Sequence, residues 1–254
     1  MSNVTGNGRL GNQLVRNIAA LLLVEKYNLV MELTCEKQLI ELGIKVKKGT
    51  VIFDTKKVIN DKKYWKYYTG KNKINFNVSM KGFFQTKLIT NELHRWLNSE
   101  SIRNNIISKN KFNSRYKNNN DCFVHIRLGD VEKWNPGIKY YLSIISSLQN
   151  IDTIYIATDS PTSNFIRKLK YKLGKKKITI VTYSLTDIIL FGSTCKHVIL
   201  SYGTFSAMIG YFSFYSTVYC LRYCKEYAWD FKSHNECDMF RDKSTQIGPW
   251  IVNG

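Results

Sequence analysis

Apolar side chains recur at three- and four-residue intervals near the start of the chain, from Leu10 to Leu22, and predict a helix over about Asn12–Tyr27. The basic and aromatic stretch Lys56–Lys73 has weak periodicity, so we expect a surface loop or an irregular helix there. The remaining pattern of this half predicts a strand at Leu29–Leu33, a short helix at Cys35–Leu42, strands at Val51–Phe53 and Ile74–Met80, and a helix at Asn91–Ile107.

The polar stretch Lys109–Asp121 has little to bury, and we expect a domain boundary there, dividing the chain into 1–115 and 116–254. After it, short apolar strands alternate with helices, which is typical of a parallel sheet built from βαβ units. The second half therefore resembles a nucleotide-binding domain with a tail, and the first half a smaller α/β unit. The expected strands are Cys122–Ile126, Thr153–Ala157, Ile178–Thr182, Val198–Ser201 and Thr217–Leu221, and the expected helices are Lys139–Leu148, Thr162–Leu173, Leu185–Ser193 and Phe205–Phe214.

Composition narrows the class of protein. The 254 residues are 44% hydrophobic, which indicates a globular chain. The longest apolar run, Ile18–Val24, is too short to span a bilayer and lacks a basic leader, so we expect a soluble, cytoplasmic protein. The six cysteines form no CxxC pair and lie mostly in apolar segments, which favours buried reduced thiols over a disulfide framework or a zinc site.

The formal net charge is +19. Such a field attracts polyanions: nucleic acid, an anionic membrane surface or nucleotide phosphates. The lysines are nevertheless spread along the chain, so a solvated and merely basic surface is the competing interpretation.

Polar residues gather where the strand Cys122–Ile126 ends: His125, Arg127 and Asp130. Ligands of open α/β sheets bind outside the carboxyl ends of the strands. An arginine there is a natural clamp for a phosphate or carboxylate, because its planar fork gives bidentate hydrogen bonds. The alternative is a buried ion pair between Arg127 and Asp130.

Three further turns carry candidate groups. The glycine-rich loop Gly6–Gln13 precedes a helix, where backbone N–H groups can approach an anion, or it simply turns the chain. Asp159 ends the next strand and can accept from a ribose hydroxyl or a guanine edge, or cap the following helix with Pro161 early in it. Thr204 and Ser206 can bind a phosphate or cap their own helix. Their concentration at one sheet edge favours a functional site.

Three motifs carry a resemblance that covers nearly the whole chain. Gly8–Gln13 followed by an apolar helix resembles the N-terminal motif of the α-1,2-fucosyltransferases, glycosyltransferase family eleven. Val124–Asp130 is similar to their H-x-R-R-x-D motif, and Asp187–Phe212 resembles their long C-terminal motif. Smaller landmarks follow in the same order, at Gly82–Gln85, Tyr140-Tyr141, Thr158–Ser160 and Pro249-Trp250. The chain departs from the family at Leu128, which replaces the second arginine, and at Ser160, which replaces an aspartate.

The resemblance implies an α/β fold of the GT-B type, with two Rossmann-like lobes and the nucleotide-sugar site in the cleft, mainly on the C-terminal lobe. It implies inverting, metal-independent transfer of L-fucose from GDP-fucose to a glycan hydroxyl such as O2 of a galactose. No cofactor, nucleic-acid partner or membrane span is expected.

The family's site residues carry over by position. Arg127 would hold the β-phosphate, and Asp130 is favoured over Glu132 as the base. His125 is placed with Arg127 and Asp130 among the catalytic residues, and with Arg9 it would support the donor or its diphosphate. Asn12 would line the cleft from the other lobe, Asp159 would read the guanine, and Thr204 and Ser206 would meet the phosphates. Gly11 and Phe205 complete the donor-binding set.

Three rival functions remain at the level of sequence. Another fucosyltransferase of the superfamily, protein O- or α-1,6-, shares the glycine-rich start and the H-x-R pattern. A basic nucleic-acid-binding protein is favoured by the net charge and by the aromatic and basic stretch Lys56–Lys73. Leu128 suggests an inactive sugar-nucleotide binder.

Overall fold

The computed structural model describes residues 1–6, 8–221, 239 and 250–253. These residues form an α/β protein of two compact units, one with residues 1–109 and 239, the other with 110–221 and 250–253. The division falls at Lys109/Asn110, six residues before the predicted boundary. Each unit is built on a parallel sheet, which is compatible with two Rossmann-like lobes.

The first unit has a four-stranded sheet in the order β2-β1-β4-β3. Its strands are β1 (Ser2–Thr5), β2 (Met31–Glu32), β3 (Lys56–Ile59) and β4 (Asn77–Lys81). Its helices are α1 (Leu10–Tyr27), α2 (Glu36–Glu41), α3 (Asp61–Tyr68), α4 (Lys87–Leu97) and α5 (Glu100–Lys109).

Three predictions for this unit were wrong in part. The predicted loop or irregular helix Lys56–Lys73 is strand β3 followed by helix α3, which Asn60 caps by accepting from Lys63 N–H. The predicted strand Val51–Phe53 is a single bridge between Val51 and Leu29.

The predicted helix Asn91–Ile107 is two helices, α4 and α5. Between them, Asn98 Nδ2 donates to His94 O at 2.9 Å and Ser99 Oγ donates to Trp96 O at 2.7 Å. Such local bonds between side chain and backbone compete with helix continuation, and α4 therefore ends here.

The second unit has a sheet in the order β10-β9-β8-β5-β6-β7, with every pair parallel. Its strands are β5 (Cys122–Ile126), β6 (Ile154–Thr158), β7 (Ile178–Val181), β8 (His197–Ile199), β9 (Thr217–Leu221) and the short β10 (Ile251–Asn253). Its helices are α6 (Ile138–Ser147), α7 (Asn164–Leu173), α8 (Leu185–Gly192) and α9 (Thr204–Phe212). Short 3-10 segments cover Asn113–Arg115 and Gly129–Trp134.

Strand β5 lies inside this sheet and is buried along its whole length. Successive side chains of a strand point to opposite faces. Val124 and Ile126 join a hydrophobic cluster with residues of α6 and α7, whereas Phe123 packs edge-on against Phe191 of α8 at 6.3 Å. The alternation predicts that His125 and Arg127 lie on the α8 and α9 side.

Pro249-Trp250 was predicted to dock onto the body of the protein, and only Trp250 is among the described residues. Trp250 is buried, and its ring centroid lies 5.8 Å from that of Tyr211 in α9. A Cβ at Gly210 would come within 2.5 Å of the Trp250 ring, so glycine makes room for the tryptophan. Pro249 lies outside the described residues.

Four cysteines, Cys35, Cys122, Cys195 and Cys220, are buried free thiols, which confirms the prediction for them. Cys224 and Cys237 lie outside the described residues. Across the described part of the chain, no helix has both the length and the apolar character that crossing a membrane demands.

Candidate functional site

The carboxyl end of β5 brings together six of the predicted residues: His125, Arg127, Asp130, Asp159, Phe205 and Ser206. Arg127 leaves the strand on the side predicted by its alternation, and its backbone N–H donates to Ser201 Oγ at 3.3 Å. A Cβ on Gly203 would lie 3.9 Å from Arg127 Cδ, so the arginine stem passes beside the turn that begins α9. Gly203 has a φ of 109°, a conformation that favours glycine.

One donor of the Arg127 guanidinium is bonded to a carboxylate, and another donor lacks an acceptor among the described residues. Its Nη2 donates to Asp130 Oδ1 at 2.8 Å, and the side chains are 14% and 50% exposed, respectively. Its Nε–H is buried and has no acceptor among the described residues. A buried donor without a partner is costly, so an incoming acceptor here would gain more than a surface contact. The ion pair with Asp130 is therefore present in the structure. The phosphate clamp stays a prediction, and the unsatisfied buried Nε–H is the feature that bears on it.

His125 of β5 precedes Arg127 by two residues and shares its face of the sheet. Its Nδ1 is 3.0 Å from Ser206 Oγ and 3.5 Å from Ser201 Oγ, and its ring centroid is 5.4 Å from that of Phe205. Burial lowers the pKa of His125 to about 4, which the Asp159 carboxylate opposes and the Arg127 cation reinforces. His125 is therefore a neutral imidazole near pH 7, and it contributes hydrogen bonding and packing rather than charge.

Ser206 was predicted to bind a phosphate, but in the structure its hydroxyl is engaged with His125. Ser206 is fully buried, and its hydroxyl faces His125. Phe205 is also nearly buried against the same imidazole. Helix α9 has Gly203 as its N-cap, so neither Thr204 nor Ser206 caps it by a side chain. What this helix presents toward Arg127 is its N-terminal backbone, which is favourable for an anion.

Asp159 has partners that the sequence did not predict. Its Oδ1 accepts from Leu128 N–H at 2.9 Å and from Gly129 N–H at 3.3 Å. The helix-capping alternative is wrong, because Ser163 caps α7 by accepting from Ile166 N–H and Pro161 precedes the helix. Asp159 therefore holds the turn after β5, and its side chain remains exposed at the sheet edge.

Leu128 occupies a core position. It is 2% exposed and belongs to the cluster formed by β5, α6 and α7. The missing second arginine thus corresponds to a side chain directed into the core on the face opposite Arg127. A buried leucine suits this position better than a cation would.

Asn135 is a residue that the sequence analysis missed. Its Nδ2 donates to Arg127 O at 3.0 Å and to Tyr141 Oη at 3.1 Å, and its Oδ1 accepts from Gly137 N–H at 2.9 Å. Asn135 therefore ties the turn that carries Arg127 to the fully buried Tyr141 of α6. No local sequence pattern predicts these contacts, because asparagine is a common residue in loops.

The glycine-rich loop belongs to the first unit, together with Arg9, Gly11 and Asn12. Arg9 is the exposed N-cap residue of α1, and Gly11 is buried in its first turn. Asn12 Oδ1 accepts from Gln85 Nε2 at 3.0 Å, which links the loop to the Gly82–Gln85 landmark.

Arg16 holds this loop and was also missed. Its Nη1 donates to Gly6 O at 2.9 Å and its Nε donates to Gly82 O at 2.8 Å, although the residue is only 2% exposed. Burial lowers the pKa of Arg16, and the neighbouring Asp61 carboxylate opposes that decrease. Asp61 in turn accepts from the backbone N–H groups of Phe83 and Phe84. An arginine among the apolar positions Leu14, Val15 and Ile18 was the available signal.

The packing of aromatic side chains in Lys56–Lys73 bears on the predicted nucleic-acid alternative. Tyr64 is fully buried, stacks on Tyr68 at 5.9 Å and meets Phe84 edge-on at 5.5 Å. Tyr67 packs edge-on against Phe76 at 5.6 Å. The buried Tyr64 is therefore not available to stack on a base, and contacts within the protein occupy part of the Tyr67 and Tyr68 rings.

Comparison with protein-family models gives no match to this chain, and comparison with curated proteins gives none either. The described residues bring together no group of three or more His, Cys, Asp or Glu side chains suited to a metal ion. The metal-independent site therefore stays a prediction.

Proposed function

We propose that this protein is an inverting glycosyltransferase that moves L-fucose from GDP-fucose to a glycan hydroxyl in α-1,2 linkage. The observation that carries the proposal is Arg127, whose buried Nε–H has no acceptor within the described part of the chain and whose stem lies beside the N-terminal turn of α9. A guanidinium next to a helix N-terminus at the carboxyl edge of a parallel sheet suits a diphosphate. The choice of GDP-fucose rests on the family resemblance of the motifs.

Charge development explains why this arrangement suits sugar transfer. When the glycosidic bond to the diphosphate breaks, negative charge grows on the β-phosphate. A fixed cation that meets this charge stabilises the transition state more than the ground state. Arg127 is fixed on both sides, by Asp130 through its guanidinium and by Ser201 and Asn135 through its backbone.

In this proposal neutral His125 positions the elements that form the donor site. Its bonds with the Ser206 and Ser201 hydroxyls join β5 to α9 and to the loop after β8. The distance between Arg127 and the α9 N-terminus is therefore set by buried contacts. In this proposal His125 is a positioning residue rather than a charged ligand of the diphosphate.

The acceptor hydroxyl needs a group that takes its proton. Asp130 and Glu132 follow Arg127 in the same short segment, and both are exposed. In an inverting transfer the base lies on the side of the sugar opposite the leaving diphosphate. Asp130 stays our first choice as the acidic residue of the matching motif, and its ion pair with Arg127 is the competing role. The two-lobed GT-B architecture is a further part of this proposal.

A thermal-shift titration with GDP, GDP-fucose and UDP tests the donor, followed by a GDP-release assay with candidate glycans. We expect GDP and GDP-fucose to raise the melting temperature and UDP to leave it unchanged. Arg127→Lys keeps the charge but loses the fork, and it should reduce turnover at least ~100-fold. Arg167→Gln removes an exposed cation of α7 and serves as the control.

Linkage analysis of the product separates α-1,2 transfer from the protein O- and α-1,6-alternatives. Full turnover by the Arg127→Lys variant, or stabilisation by UDP as strong as that by GDP, would refute the proposal.

A further inference from the structure

Helix α7 and the turn after it carry the densest positive charge in the described part of the chain. Seven of the eleven residues from Arg167 to Lys177 are basic, where the average of 38 basic residues in 254 would place fewer than two. No Asp or Glu occurs between Ser160 and Thr186. All seven cations are exposed, and none of them forms an ion pair with a described carboxylate. We call these residues the α7 basic face: Arg167, Lys168, Lys170, Lys172, Lys175, Lys176 and Lys177.

The geometry of α7 separates this face from the core. Ile166, Leu169 and Leu173 are buried in the cluster with β5 and α6, so the opposite side of the helix points outward. Tyr171 lies in the middle of that outer side and is 88% exposed. At 100° per residue, cations of α7 flank this ring on both sides of the helix.

We propose that the α7 basic face docks the protein on the surface of a lipid bilayer that contains anionic headgroups. A cluster of four to eight basic residues on an amphipathic helix is suited to lipid phosphates. A tyrosine among them fits the headgroup level, because the ring is amphipathic. The proposal does not rest on the proposed transferase activity, and none of the candidate site residues belongs to this face.

The alternative polyanion, single-stranded nucleic acid, is less well matched. Its binding uses several aromatic platforms along a basic groove. Helix α7 offers one strongly exposed ring, Tyr171, and its other aromatic residue, Phe165, packs against Tyr141 edge-on at 6.0 Å. Charge complementarity to a flat anionic surface is what this face provides.

Vesicle co-sedimentation tests the proposal with the full chain. We expect binding to vesicles of phosphatidylcholine mixed with phosphatidylserine, no binding to phosphatidylcholine alone, and release by salt. Replacing four lysines of the face by glutamine should weaken binding at least ~100-fold. A matched control removes four exposed lysines elsewhere and should bind within threefold of the parent; its positions are Lys45, Lys47, Lys81 and Lys109. The test variant carries glutamine at Lys168, Lys170, Lys172 and Lys175.

Two further measurements fix the outcome. Tyr171→Ser should weaken vesicle binding with no loss of melting temperature, because the exposed ring contributes little to folding. A single-stranded oligonucleotide, compared at equal phosphate concentration, should bind more weakly than the mixed vesicles. Equal loss of vesicle binding in the control variant, absence of vesicle binding, or tighter binding of the oligonucleotide would each overturn the proposal.

Discussion

Asp159 accepts a hydrogen bond from the backbone N–H of Leu128, across 31 residues of sequence and at 2.9 Å. With its second bond to Gly129, this carboxylate fixes the turn from which Arg127 and Asp130 extend. The end of one strand is thereby shaped by the end of its neighbour. The consequences of this contact, and of others around it, can be measured.

Asp159→Asn and Asp159→Ala distinguish a turn-holding role from recognition of guanine. An asparagine oxygen can still accept from both N–H groups, so we expect Asn to keep stability and GDP affinity within about threefold. Alanine leaves two donors without this partner and should cost roughly 1–2 kcal/mol of unfolding free energy, with weaker GDP binding. Chemical denaturation and calorimetry with GDP and IDP measure both effects. Loss of the preference for GDP over IDP in the Asn variant would instead show that the Asp159 carboxylate recognises the guanine ring.

Leu128→Arg restores the second arginine of the related motif but places it in a core position. We expect a loss of at least about 2–4 kcal/mol in unfolding free energy, because an unpaired cation would be buried. Leu128→Met keeps the volume and should cost less than about 1.5 kcal/mol. Urea denaturation compares the two variants. An arginine variant as stable as the parent, with tighter GDP binding, would contradict the core assignment.

His125 makes folding stability depend on pH. Its pKa is about 4 in the folded protein, against an ordinary value of 6.5. Between these values the unfolded chain binds the extra proton, so stability is present above about pH 6.5 and is lost as the pH falls toward 4. The difference corresponds to about 3 kcal/mol at most.

The His125→Gln variant should have a flatter profile of unfolding free energy between pH 7 and pH 4. His197→Gln is the control, since its imidazole is partly exposed, although burial and the neighbouring Lys196 cation also lower its pKa. A profile for His125→Gln that runs parallel to that of the parent would show that this imidazole does not titrate as described.

Asp130→Asn tests the proton acceptor. As a general base, Asp130 should contribute at least ~100-fold to turnover, while the Kd for GDP changes less than about threefold. Single-turnover rates and calorimetry with GDP separate the two quantities, and Glu132→Gln serves as the matched variant. If Asp130→Asn weakens GDP binding in proportion to turnover, the carboxylate acts by orienting Arg127.

Much of the second unit could be predicted because its strands are short, apolar and regularly interrupted by helices. Strand β5 has the predicted bounds, and the alternation of Phe123, Val124 and His125 gives the correct faces. Strand β1 was not predicted, since Ser2, Asn3 and Thr5 are polar and the strand is stabilised by pairing with both β2 and β4.

The hydrogen-bond partners of the site residues could not be predicted from the sequence, for a different reason. His125 meets Ser206 across 81 residues, and Arg16 meets Gly82 across 66. Such contacts depend on how helices and strands pack, and a pattern of hydrophobic residues does not encode them. The sequence located the polar turns, and the tertiary structure determined which side chains face a ligand and which support those that do.

Strand β3 lies at the edge of the first sheet and pairs, among the described strands, with β4 alone. An edge strand leaves a row of backbone groups that can template pairing with another molecule. Here Lys56 and Lys57 are exposed beside the exposed Val58. Two copies approaching along this edge would bring like charges together, so the lysines protect the fold against self-association into intermolecular sheets.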